Sequence, residues 1–202
     1  MTMRRTRLPA AERRETILRA ASEVFAEAGY RAGKVSDIAA RVGVTEPVIF
    51  QNFGSKAALY AAVLDRAAAG ARTSLDDLAA RGGSASELLT HVLTGAGHAG
   101  TGHVGTGHAG AAYGVLFADA IALTAEPELT EAAREAFGAI AAHLADLIRH
   151  VQAENGTAGG ADPEAAAWLL LSVLAARPLR AAAMPAGLEA AVTALALRTL
   201  TP

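Results

Sequence analysis

The densest recognition chemistry in the chain lies in eight consecutive residues, Thr45 to Asn52, reading TEPVIFQN. Glu46 can accept a hydrogen bond from a cytosine amino group, and Pro47 and Val48 offer apolar contact to a thymine methyl. Gln51 and Asn52 can pair with adenine edges or with phosphate oxygens; they can also simply cap the end of a helix. Lys34 and Lys56 flank the stretch, and each can hold a phosphate as a point charge. The set combines groups that read bases with groups that grip a backbone, a pattern suited to duplex DNA.

The flanking residues describe how such a stretch is positioned. A short apolar-periodic helix ends at Val42, and Gly43 is the natural residue for the left-handed position just past it. Thr45 can cap a second helix through its hydroxyl. Val44 before the cap and Ile49 inside it have the spacing of a hydrophobic staple. Pro47 falls in the first turn, where a missing N–H does no harm. Two short helices joined by a tight glycine turn make a helix-turn-helix, whose second helix enters the major groove. Ile49 and Phe53 are four apart and should face the core. Glu46, Pro47, Val48, Phe50 and Gln51 are then left for the groove.

Residues 14–63 resemble the DNA-binding domain of the TetR family of bacterial transcriptional regulators. The likeness runs through Ile17-Leu18-x-Ala20-Ala21, Val24-Phe25-Ala26-Glu27-x-Gly29-Tyr30 and Val35-x-Asp37-Ile38-Ala39. It continues in Gly43-Val44-Thr45, Ile49-Phe50-x-x-Phe53 and Ser55-Lys56. The resemblance implies an all-α fold, with an N-terminal three-helix helix-turn-helix domain joined to a larger C-terminal helical domain for ligand binding and dimerisation. It implies a homodimer formed by the last two helices on a near-palindromic operator. It also implies a repressor released by a small-molecule effector, and makes Lys56 a backbone-contacting lysine. Several positions depart from the family's pattern. Gly33 and Lys34 stand where Thr or Ser is usual, with Gly33 a passable cap for the second helix. Glu46 stands where a basic residue is frequent, and Phe50 replaces a Tyr. Gln51 and Asn52 occupy positions often held by His and Tyr.

Composition agrees with that outline. Apolar residues make up 52% of the 202, enough for a sizeable core, and no sustained β-branched alternation competes with helix. Residues 1–56 hold 10 Lys and Arg against 6 Asp and Glu, whereas residues 57–202 hold 8 against 14. A basic end on an acidic chain suits a polyanion-binding head on a body that avoids DNA. With no cysteine, disulfides and thiolate metal sites are excluded. The basic start has no apolar run after it, so it does not read as a secretion signal. The most apolar window, Ala165 to Ala176, is about 12 residues and too short to span a bilayer. The expected location is cytoplasmic, with no membrane partner.

Along the chain, residues 1–9 read as a flexible basic arm, 10–54 as the DNA-binding domain and 55–202 as the helical body. The first helix should stop at Gly29 with Ile17, Ala21, Val24, Phe25 and Ala28 inward. A long helix from Ser55 to about Arg81 spans about 39 Å at 1.5 Å per residue, enough to couple head to body. Ser84-x-x-Glu87 is a capping box for the next helix. Asp162 should cap a helix that runs from Glu164 to about Ala182, and a last helix should follow from about Ala186.

The segment 95–110 carries His98, His103 and His108 at a period of five among seven glycines. In a helix those glycines would cost roughly 7 kcal/mol relative to alanine, so a loop is expected. The alternative is a metal- or pH-sensing role for the three histidines. Tyr113, Phe117 and Trp168 are candidates to line an apolar effector pocket, or are ordinary core aromatics. No cofactor or metal site is assigned. A Gly-rich phosphate loop after a strand, Gly-x-Ser-x-Gly and His-Glu-x-x-His are all missing from the sequence, so an enzyme is not expected.

Overall fold

The computed structural model describes residues 9–80, 84–94, 117, 119, 126–155, 161–185 and 187–200. The arm before Pro9, the Gly/His repeat at 95–110 and Tyr113 lie outside the described residues. The fold is all-α. The helices are α1 (Ala10–Ala32), α2 (Val35–Val42), α3 (Glu46–Phe53), α4 (Lys56–Ala80) and α5 (Ala85–Thr94). They continue as α6 (Pro127–Asn155), α7 (Pro163–Ala175), α8 (Arg177–Ala183) and α9 (Leu188–Leu200). In the head, α1 packs on α2 and α4, and α3 packs on α2 and α4. In the body, α4 packs along α6, α6 along α7, and α5 bridges α6 and α9.

The burial pattern follows the apolar spacing. In α1, Ile17, Ala21, Val24 and Phe25 are buried. Ala28 is exposed instead, because the helix breaks at the next residue. Gly29 has φ 72°, so the chain kinks there and adds one more turn before Gly33. In α4, Leu59, Tyr60, Val63 and Leu64 are fully buried, each side chain contributing about 1.5–3 kcal/mol by leaving water. In α6, Leu129, Ala133, Phe137, Ile140, Leu144, Ile148 and Val151 point into the same continuous core.

Local capping places the element starts. Ser84 and Glu87 form the expected reciprocal box, with Ser84 N–H donating to Glu87 Oε2 at 2.8 Å and Glu87 N–H to Ser84 Oγ at 3.3 Å. Asp162 Oδ1 accepts from the N–H groups of Glu164 and Ala165 at 2.8 and 3.2 Å. Three boundaries differ from the sequence reading. The helix expected to reach Ala182 is broken at Ala176, with Pro178 in the first turn of α8; a proline cannot supply the N–H that continuation would need. The last helix starts at Leu188, two residues late, after Gly187 at φ 91°. The cap of α2 is Lys34 and not Gly33. A Cβ at Gly33 would come within 2.7 Å of the Phe25 ring, so that position serves close packing.

Ion pairs cross between helices. Arg41 of α2 reaches Glu23 and Glu27 of α1 at 3.2 and 2.6 Å, and Arg66 of α4 pairs with Glu15 of α1. His143 Nε2 meets Asp76 Oδ1 at 2.9 Å, joining α6 to α4. Arg180 makes a two-pronged pair with Glu189, at 3.0 and 2.9 Å, tying α8 to α9.

The turn between α2 and α3 depends on Gly43, at φ 73° and ψ 36°. Its N–H donates to Ala39 O at 2.9 Å, and the Val44 N–H donates to the same carbonyl at 3.0 Å. A β-branched side chain there would be strained by about 1–2 kcal/mol. Gly43→Val should therefore lower the thermal midpoint by roughly 3–6 °C, measured by circular dichroism; an unchanged midpoint would show that the turn can be rebuilt.

Candidate nucleic-acid interface

Helix α3 is held by two side chains. Ile49 and Phe53 of α3 are buried. At about 100° per residue, the opposite side of the helix falls on Pro47, Val48 and Gln51. Pro47 and Gln51 are exposed and Val48 is half-buried. Glu46 and Phe50 share one flank of that face, both exposed, with Phe50 at 39%. The structure therefore brings Glu46, Pro47, Val48, Phe50 and Gln51 onto one short helix with its core-facing side occupied.

Thr45 holds the N-cap position of α3, but its hydroxyl makes no cap bond. The reason is chemical. A capping oxygen takes the N–H of the second or third helical residue. The second is Pro47, which has none. The third is Val48, whose N–H goes to the Thr45 carbonyl at 3.0 Å. The expected hydroxyl cap is thus not made, and Thr45 remains exposed.

Asn52 lies on the other flank and is half-buried, with Nδ2 donating to the Val48 carbonyl at 2.6 Å. Its side chain is turned along its own helix, while Gln51 stays on the open face. Arg14 of α1 closes the end of α3. Its Nη1 donates to the Asn52 carbonyl at 2.8 Å, and its guanidinium sits 4.1 Å from the Phe53 ring centroid. A cation at a helix C-terminus is favourable, and stacking on the ring adds to it. Sequence reasoning missed Arg14 because its partner is 38 residues away and no local pattern links them.

The two lysines occupy helix starts, where backbone N–H groups and the helix dipole favour an anion. Lys34, exposed, is the N-cap of α2. Lys56 is the first residue of α4, behind a Ser55 cap whose Oγ accepts from Ala58 N–H at 2.9 Å. Lys56 is less free than Lys34. Its Nζ donates to the Arg31 carbonyl at 3.3 Å and lies 4.7 Å from the Tyr30 ring centroid. Burial lowers its pKa, against the opposing pull of the Glu126 and Asp119 carboxylates.

The candidate pocket residues sit farther along. Phe117 is buried with its ring centroid 4.2 Å from that of Phe137. Trp168 is 48% exposed and lies 6.5 Å from Phe137, beside a small open cleft with Gly138, Ala141 and Arg149. Both aromatic rings thus lie near Phe137. Among the described residues, no three His, Asp or Glu side chains cluster as metal ligands, and no helix is long and apolar enough to cross a membrane.

Residues 17–63 match the family described as bacterial regulatory proteins, tetR family. The chain is 54% identical over 63 residues to the HTH-type transcriptional activator FasR of Mycolicibacterium smegmatis, covering 31% of this chain and 29% of FasR. It is 42% identical over 65 residues to the HTH-type transcriptional repressor BepR of Brucella suis, covering 32% of this chain and 31% of BepR. The chain thus spans less than a third of the length of these curated relatives. The whole fold is similar to the crystal structure of the transcriptional regulator FadR from Bacillus subtilis in complex with stearoyl-CoA. That likeness has a TM-score of 0.68 at 17% identity over 93% of this chain and 97% of FadR.

Arg14→Ala removes the cation from the end of α3 and from the Phe53 face. It should destabilise the protein by about 1 kcal/mol, read by urea denaturation. No change would mean that the bond to the Asn52 carbonyl does not hold the reading helix in place.

Proposed function

We propose that this chain, whose residues 17–63 match the tetR family of bacterial regulatory proteins, is a ligand-responsive transcriptional regulator that binds double-stranded operator DNA as a homodimer. The observation that carries this reading is α3. Its buried side is filled by Ile49 and Phe53, and its other sides present Glu46, Pro47, Val48, Phe50 and Gln51 to solvent. Thr45 and Asn52 bracket that set, and Lys34 and Lys56 supply backbone contacts at two helix starts. Twofold protein symmetry would impose a near-palindromic operator.

The partner surface is argued from α7 to α9. Trp168, Leu169, Leu179, Leu188 and Leu195, on α7 to α9, are exposed at 43–69%, and exposed large apolar side chains of this kind mark interaction surfaces when they adjoin. A second copy covering α7 to α9 is the dimer we propose, through the two last helices expected from the sequence, the first of them broken at Ala176. The effector is a small molecule held by the helical body, with Tyr113, Phe117 and Trp168 as proposed lining residues. FadR, of the same fold, was crystallised with stearoyl-CoA, which favours an apolar compound. FasR is an activator and BepR a repressor, so a head of this kind serves either sign. Occluding a promoter needs no contact beyond DNA, and repression released by effector is the sign proposed.

Binding to DNA from upstream of the gene should weaken steeply with salt. Val48→Ala and Gln51→Ala should shift sequence preference, each by about 1–3 kcal/mol at the affected base pair. Lys56→Ala should weaken binding to all duplexes alike. Gel shift across a set of operator variants reads the difference, and equal loss on every sequence from all three substitutions would refute the roles assigned here.

A further inference from the structure

At the junction of head and body, two acidic side chains converge on one corner. Gly29 leaves the helix at φ 72°, which turns the Tyr30 N–H out of the α1 ladder. The Asp119 carboxylate accepts that N–H. The approach is close enough that a Cβ at Gly29 would lie 3.1 Å from Asp119 Oδ2. Burial first, and then the nearby Asp119 carboxylate, raise the pKa of the Tyr60 phenol. Glu126, immediately before α6, accepts from the Tyr30 hydroxyl at 2.7 Å. The face of the same Tyr30 ring carries the Lys56 ammonium at 4.7 Å, and the Arg31 carbonyl takes one of its protons at 3.3 Å.

These contacts form a chain from body to head. A phenol that donates to a carboxylate gains electron density in its ring, and an electron-rich ring face holds a cation more firmly. The two carboxylates also attract Lys56 through space. A phosphate at the start of α4 would have to compete with all of this for one ammonium group.

We propose that Glu126 and Asp119 form an autoinhibitory acidic corner that holds Lys56 back from the DNA backbone, so that the body sets the head's affinity for phosphate. Glu126 acts here as a positioning residue, through Tyr30. The inference rests on the DNA-binding reading above. A body conformation that draws Glu126 away from Tyr30 strengthens the grip, and one that presses it closer weakens it.

The test uses the full-length protein and two duplexes, one from upstream of the gene and one unrelated, titrated over a range of salt. Glu126→Gln keeps an acceptor for the Tyr30 hydroxyl but removes the charge. It should tighten binding to both duplexes by about three- to tenfold, and steepen the salt slope by up to about one unit as Lys56 gains a phosphate. Glu135→Gln makes the same charge change on an exposed side chain of α6 and should move affinity less. In a Lys56→Gln background the gain from Glu126→Gln should disappear, which is the coupling a double-mutant cycle reads. Thermal unfolding of each variant separates a loosened fold from a freed lysine. A Glu126→Gln protein that behaves like Glu135→Gln, or a gain that survives without Lys56, overturns the inference and leaves the regulator reading standing. Wild-type protein that binds neither duplex instead removes the regulator reading, and this inference with it.

Discussion

The structure depends on α4 being packed at both ends of its length. Its first turns give Leu59, Tyr60, Val63 and Leu64 to the head core, all fully buried. Farther along, Ala67 and Ala68 are buried, and the helix lies along α6. One rigid rod therefore belongs to two packing units, and neither unit can shift without moving it or repacking against it. Tyr60 marks the crossing point. Its ring meets Phe25 edge-on at 4.9 Å and Tyr30 at 5.1 Å, while burial and then the nearby Asp119 carboxylate raise the pKa of its phenol. Close-packed interiors have few intermediate arrangements, so a change on one side of this cluster is passed on and not absorbed.

Much of the fold was legible because its signals are local. The glycine after Val42, the Ser84–Glu87 box and the Asp162 cap each lie within a few residues of the groups they satisfy, and each appears where the pattern places it. The apolar stripes of α1, α4 and α6 were legible for the same reason, since one helix turn sets the spacing. The break at Ala176 was missed: Pro178 is a local signal, but the apolar run around Trp168 obscured it. The candidate interface was legible as a helix with one buried side, because α3 holds its buried and open sides within eight residues. Arg14 on the end of α3 and the Asp119–Glu126 corner were not. Their partners are 38, 89 and 96 residues away, and chain separation of that kind leaves no periodic trace. Thr45 is a subtler case. A good capping residue is present, but Pro47 removes one N–H and the backbone takes the next.

Head and body relate differently to other proteins. The head matches curated regulators at 42–54% identity over 63–65 residues, whereas the whole chain shares its fold with a solved relative at 17%. Physical demands on the two parts differ in the same way. A helix that enters the major groove meets one fixed shape, so its supports have little freedom. A helical body has only to bury apolar surface, and many side-chain sets of similar volume do that. Replacing the aromatics of such a body changes which ligand fits while leaving the helices in place. This is why the candidate groove residues form one local stretch of sequence, while Phe117 and Trp168 come near Phe137 only in the folded chain.

The same reasoning sorts the ion pairs by what they can transmit. A ligand moves an equilibrium only through contacts whose energy differs between the two states. Arg41 with Glu23 and Glu27, and Arg66 with Glu15, join helices that pack together around the head. These pairs stay within the packing of the head helices and offer no direct link to α6. His143 with Asp76 joins α6 to the far part of α4, and Tyr30 with Glu126 and Asp119 joins the head to the start of the body. Only contacts of this second kind are stretched or broken when the body shifts. Of the two, the Tyr30 corner lies next to a lysine at the proposed DNA-facing end of α4, whereas the His143 pair lies about five turns farther along the helix. A shift of the body would therefore reach the proposed DNA contact first through Tyr30.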